Sequence, residues 1–86
     1  MMVKIFVRPG CPKCPPAETL AENLKKEKIE AEVYNLNEPE GLTEGTLYNV
    51  MGTPTIIILD NNDQEIISWR GETPTLEEVK KNLQNN

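Results

Sequence analysis

The hydrophobic period changes twice within the first half of the chain, and this restricts the fold more than any other feature. Val3, Ile5 and Val7 alternate with Lys4 and Phe6, the period of a strand, and Pro9-Gly10 stops it. From Ala17 the period is helical. Ala17, Leu20, Ala21 and Leu24 share one face, while Glu18, Glu22, Asn23, Lys25 and Lys26 take the other, over a helix running to about Lys28. Ala31 to Leu36 reads as a strand again, closed by Asn37-Glu38-Pro39 and Gly41. Strand, helix and strand in so short a span form a βαβ unit, whose strands run parallel through a right-handed crossover.

The remainder extends that unit. Leu42 to Met51 is a weaker helix, with Leu47, Val50 and Met51 on one face and Gly45 and two threonines against it. Gly52-Thr53-Pro54 interrupts it. Thr55 to Leu59 is an apolar, β-branched run of the kind found in central strands buried on both faces. The turn Asp60-Asn61-Asn62-Asp63 leads into a return strand, Glu65 to Trp69, and Gly71 ends the hairpin. Thr73 or Thr75 caps a last helix, and Thr75 with Glu78 has capping-box spacing. Leu76, Val79 and Leu83 form its buried stripe. The order βαβαββα predicts an α/β domain over residues 1–86, with a mixed four-stranded sheet and helices on both faces.

Composition narrows the function classes. A chain of 86 residues has room for one modest core. Its longest aliphatic run, Ile56 to Leu59, is far too short to span a membrane, and MMVKIFVRPG lacks the pattern of a secretory signal. A reducing cytoplasm is therefore the expected location. Nine Lys and Arg against fourteen Asp and Glu leave a net charge of −5, which disfavours nucleic acid and anionic lipid as partners.

There are two cysteines and no histidine. The cysteines stand in RPGCPKCPP, where the first strand ends and the first helix begins. In a reducing compartment a close pair is more often catalytic or metal-binding than structural. A Cys11 thiolate placed there accepts the free N–H groups of Lys13 and Cys14 and lies at the positive end of the helix dipole. Arg8 and Lys13 add positive charge. These effects lower a thiol pKa, making Cys11 the expected nucleophile and the more sheltered Cys14 the resolving thiol. Pro12 fixes one φ at little cost to the helix. Pro15 and Pro16 remove N–H groups from a helix begun at Pro12, so a distorted first turn is expected, with regular helix from Ala17.

Other readings of the pair have less support. A structural disulfide closing so short a loop constrains the unfolded chain little. A zinc site needs about four ligands, so this chain could supply only half of a Cys₄ site between two copies. A bridging iron–sulfur cluster would likewise need a second chain or outside thiols. A non-enzymatic metal or cluster carrier thus stays as an alternative.

RPGCPKC before an amphipathic helix, together with GTPT before a buried strand, resembles the thioredoxin/glutaredoxin superfamily across nearly the whole chain. The resemblance implies a thioredoxin fold, a cytoplasmic thiol–disulfide oxidoreductase and a cis Thr53–Pro54 peptide beside the disulfide. It also implies that the backbone of Thr53 pairs with an extended substrate segment. Pro12, Lys13, Thr53, Pro54, Trp69 and Gly71 would form the contact surface for a disulfide-containing protein. No dissociable cofactor is required beyond the redox-active disulfide, and a monomer is expected. The start of the chain and Arg8 look like glutaredoxins, in which a basic residue helps hold glutathione. The C-terminal half, with Gly71, looks more like thioredoxins. The Gly-Gly and acidic residues with which glutaredoxins hold glutathione are replaced by Trp69-Arg70-Gly71-Glu72. Trp-x-Gly resembles redoxins recharged by thioredoxin reductase; alternatively, Trp69 simply packs across an edge strand. A thioredoxin-type reductase is the expected reductant, with glutathione the alternative.

Overall fold

The computed structural model describes residues 1–84. Its elements are β1 (Met2–Val7), α1 (Pro15–Lys26), β2 (Ala31–Asn35), α2 (Pro39–Leu47), β3 (Thr55–Leu59), β4 (Glu65–Arg70) and α3 (Leu76–Gln84). The sheet has the order β2-β1-β3-β4. β1 and β2 are parallel, from Val3 opposite Ala31 to Val7 opposite Asn35, whereas β3 is antiparallel to both β1 and β4. This is the mixed four-stranded α/β architecture expected from the order of elements. β3 is buried at every residue, as an apolar strand covered on both faces must be.

Alternation along the strands separates two cores. Val3, Ile5, Val7, Ile56 and Ile58 meet Ala17, Leu20, Ala21, Leu24 and Val79 on one side. Phe6, Leu36, Ile57 and Leu59 pack on the other, with Tyr34, Tyr48 and Val50 against them. α3 begins with the expected capping box: the Glu78 N–H donates to Thr75 Oγ1 at 3.1 Å, and the Thr75 N–H to Glu78 Oε1 at 3.2 Å.

Several expectations require correction. α1 begins at Pro15, with Cys14 as its N-cap, so Pro15 and Pro16 are its first two residues. The N–H groups they lack would have had no intrahelical partner, and no distorted turn precedes Ala17. The helix ends at Lys26, two residues before Lys28 adopts a left-handed φ of 61°.

β2 stops at Asn35 rather than Leu36, and α2 runs Pro39–Leu47 rather than Leu42–Met51. Pro39 opens it from an extended Glu38, a position where a fixed φ suits the helix. Its glycines serve packing. A Cβ on Gly41 would collide with the Asn35 carbonyl, and one on Gly45 would come within 2.7 Å of Leu36 Cδ2. α2 can lie this close to β2 because Gly41 has no side chain to meet the Asn35 backbone; at Gly45 the opposing atom is a side-chain tip that can shift.

Leu47 and Met51 are not part of a buried face, being 67% and 91% exposed. Of that expected trio only Val50 packs on the core.

Candidate functional site

Two tight turns connect β1 to α1 and carry both cysteines. The Cys11 N–H donates to the Arg8 carbonyl, and the Cys14 N–H to the Cys11 carbonyl, each at 3.3 Å. Gly10 has a φ of +75°, a left-handed conformation in which glycine meets no Cβ penalty. Cys11 and Cys14 are joined as a disulfide with Cα atoms 5.3 Å apart. Cys14 is 2% exposed and belongs to the aliphatic core, whereas Cys11 is half-buried and leans on that core from outside.

This arrangement changes the electrostatic account of Cys11. The Cys14 N–H, expected to face the thiolate, is occupied by the Cys11 carbonyl, and Pro15 and Pro16 contribute no N–H at all. Fewer backbone donors remain at the start of α1 than its dipole alone would suggest. Arg8 and Lys13, both exposed beside the turns, carry the positive charge nearest in sequence to Cys11.

The second strand–loop junction lies at the start of β3. The Thr53–Pro54 peptide is cis. Pro54 is buried, and its carbonyl accepts the Gly71 N–H at 2.8 Å. Thr55, 1% exposed, donates its hydroxyl to the Gly52 carbonyl at 2.8 Å. Gly71 holds a φ of +87°, strained for any residue with a Cβ.

Three surface clefts gather the sequence-predicted residues. Arg8, Cys11 and Cys14 line one of about 310 Å³, with Glu18 and Asn35 on its walls. Pro12, Lys13 and Gly71 line a second of about 400 Å³, together with Thr73. Thr53 and Gly71 line a third of about 330 Å³, beside Met51 and Arg70. Gly71 thus joins the CPKC turn to the Thr53 loop. Trp69 lines none of these clefts; it pairs with Ile56 across the sheet and packs on the aliphatic core. A further hollow, about 550 Å³ along α3 from Thr75 to Gln84, is lined by neither cysteine.

Sequence reasoning missed Arg70 and Met51. Arg70 looks like any charged residue on an edge strand, and the helical spacing of Met51 with Leu47 and Val50 points to a buried face. Among the described residues, no group of three or more His, Cys, Asp or Glu side chains is placed to hold a metal ion.

Comparison with known proteins accords with this geometry. The profile of the thioredoxin domain family matches residues 1–84. A thioredoxin of Methanocaldococcus jannaschii is 34% identical over 82 residues, covering 94% of each chain. Glutaredoxin 1 of Salmonella typhimurium is 40% identical over 55 residues, 63% of each chain. Among solved structures, thioredoxin 1 of Thermosipho africanus superposes with a TM-score of 0.69 at 26% identity, covering 99% of this chain and 92% of that one.

Proposed function

Because the chain belongs to the thioredoxin family and is a thioredoxin-like oxidoreductase with a disulfide-capable Cys11–Cys14 pair, we propose that it reduces protein disulfides. The observation that carries this reading is the unequal exposure of the two bonded cysteines, Cys14 at 2% and Cys11 half-buried in the lining of a cleft. The outer sulfur is the one a second protein can reach.

In the reduced protein the Cys11 thiolate attacks one sulfur of the substrate disulfide. A mixed disulfide forms, and the first substrate thiolate leaves and takes up a proton. Cys14, having lost its proton, then attacks Cys11 Sγ. The Cys11–Cys14 bond closes and the second substrate thiolate departs. Two electrons pass to the substrate, and an external reductant restores the dithiol. Proton transfer falls to water, Lys13 or Glu18, which lines the cysteine cleft. Arg8, Pro12, Lys13, Thr53, Pro54 and Gly71 form the contact surface, with the Thr53 backbone pairing to an extended segment of the partner. Trp69 supports this rim from the core side.

The reductant we assign is a thioredoxin-type reductase acting on a monomer in the cytoplasm. Similarity to a glutaredoxin over 55 residues favours glutathione as the second reading. NADPH-coupled turnover separates the two, comparing thioredoxin reductase with glutathione plus its own reductase. Trapping tests the roles of the thiols. Cys14→Ser should hold substrate in mixed disulfides and Cys11→Ser should not; trapping through Cys14 alone would reverse the assignment.

A further inference from the structure

The segment that carries Thr53 is held from β4 at both ends. At its far end, the Gly71 N–H reaches the Pro54 carbonyl. At its near end the Arg70 guanidinium donates from Nη1 to the Asn49 carbonyl at 3.0 Å and from Nη2 to the Tyr48 carbonyl at 3.1 Å. Those carbonyls stand at the C-terminal end of α2, where helical carbonyls have lost their intrahelical donors and a cation complements the dipole. The last turn of α2 contains no basic residue of its own. Arg70 supplies that charge from another element, 21 residues away in sequence from Asn49.

The guanidinium is itself fixed. Nε donates to Ser68 Oγ and Nη2 to Glu65 Oε1, each at 3.2 Å. Four of its five N–H donors are therefore in use, in the rigid fork that suits paired acceptors. Between the two anchors Val50 packs on the core and its N–H donates to the Gly45 carbonyl at 2.8 Å, but the rest of the segment is open. Asn49 turns through a left-handed φ of 55°, Met51 is 91% exposed, and a Cβ on Gly52 would touch nothing within 4 Å.

We propose that Arg70 is a positioning residue for protein-disulfide docking. By clamping the Tyr48 and Asn49 carbonyls it holds the backbone of Val50 to Thr53 at a fixed place relative to Cys11, ready to pair with the partner segment. This rests on the redox reading above and adds a residue to it. Arg70 acts on docking and leaves the thiol chemistry alone, so its loss should penalise a large substrate and spare a small one.

The test compares wild type with Arg70→Met, Arg70→Lys and, as a charge control on α3 away from the clamp, Glu77→Gln. Insulin serves as the protein disulfide, with dithiothreitol as reductant, and 5,5′-dithiobis(2-nitrobenzoate) as the small one, mixed in a single turnover with the pre-reduced protein freed of dithiothreitol. Arg70→Met should raise KM for insulin about fivefold and leave kcat and the small-disulfide rate within about twofold. Amide hydrogen exchange at Asn49 and Val50 should quicken about tenfold, while exchange at Ile56 to Ile58 stays unchanged. Arg70→Lys, able to reach one carbonyl, should recover part of both effects, and Glu77→Gln should match wild type. Unchanged insulin KM, unchanged exchange at Asn49 and Val50, or exchange rising equally through β3 each overturns the proposal. A wild-type protein that reduces neither disulfide overturns the redox reading and the docking role with it; exchange then still decides whether Arg70 holds the segment.

Discussion

The two faces of the sheet are held by different chemistry. Beneath α1 and α3 the contacts are mainly aliphatic: strand valines and isoleucines against alanines, leucines and Val79, with Trp69 at the margin. Beneath α2 a smaller apolar group shares its space with Lys4, whose side chain is 13% exposed and paired with Glu44 of the helix. The Lys4 ammonium also stands 5.3 Å from the Tyr34 ring centroid and 5.4 Å from that of Tyr48. Both cysteines rest on the aliphatic side. The difference separates tasks: the dry face shelters Cys14, and the face with buried charge fixes α2, from which the Thr53 loop departs.

If this contrast is right, the largest loss comes from the aliphatic face. Leu24 is fully buried, and Leu24→Ala should cost about 2–5 kcal/mol in urea unfolding. A loss under about 1 kcal/mol would mean that face is loosely packed.

On the other face, helix propensity and packing disagree in sign at Gly41. Propensity alone predicts that Gly41→Ala gains about 1 kcal/mol. The collision with the Asn35 carbonyl predicts a net loss of about 1–3 kcal/mol, because backbone cannot move aside as a side-chain tip can. A more stable Gly41→Ala protein would show that α2 is free to lift from β2.

Lys4→Met leaves Glu44, whose side chain is 23% exposed, without its cation. Partial exposure reduces the penalty below that of a fully buried pair, to roughly 1–2 kcal/mol. Adding Glu44→Leu should restore near-native stability; a double variant no better than the single would show that the pair does more than neutralise itself.

The smallest effect is alkaline. Burial acts to lower the Lys4 pKa, but the hydrogen bond to Glu44 and neighbouring charges outweigh it and raise the value above 10.5. Tyr34 is pushed up from 10.0 to about 12, first by burial and then by donating its hydroxyl to Glu32. Between these unfolded and folded values the native state binds more protons than the unfolded one. Stability should therefore fall as pH rises from 10 toward 12. Tyr34→Phe should shallow that decline, as followed by denaturant midpoint, and an identical slope would remove Tyr34 from the account.

Much of this organisation is legible in the sequence because periodicity reports burial directly. The change from alternate Val3, Ile5 and Val7 to helical Ala17, Leu20 and Leu24 locates β1 and α1. What periodicity misses is the second layer. Alternation marks Lys4 only as a residue on the face opposite Val3 and Ile5, yet β1 is an interior strand with a core on each face. Pro39 and Gly41 read as a turn because local preference cannot anticipate that a helix needs a missing side chain to approach β2. The CPKC pair and Thr53-Pro54 are readable as residue types at a spacing. The Arg70 clamp is not, because its partners are backbone carbonyls, which every residue possesses.

The depth difference between the two sulfurs also governs chemical wear. With Cys11 as the outer thiol of the proposed reaction, peroxide should meet it first and convert its thiolate to a sulfenic acid. Cys14 then condenses with it, releasing water and forming the same disulfide that turnover forms. Further oxidation of Cys11 must outpace a neighbour whose Cα lies 5.3 Å away. Met51, 91% exposed beside Thr53, has no such neighbour, and its sulfoxide needs a dedicated repair enzyme. Lasting oxidative injury to this face therefore begins at a thioether, while the thiols return to service.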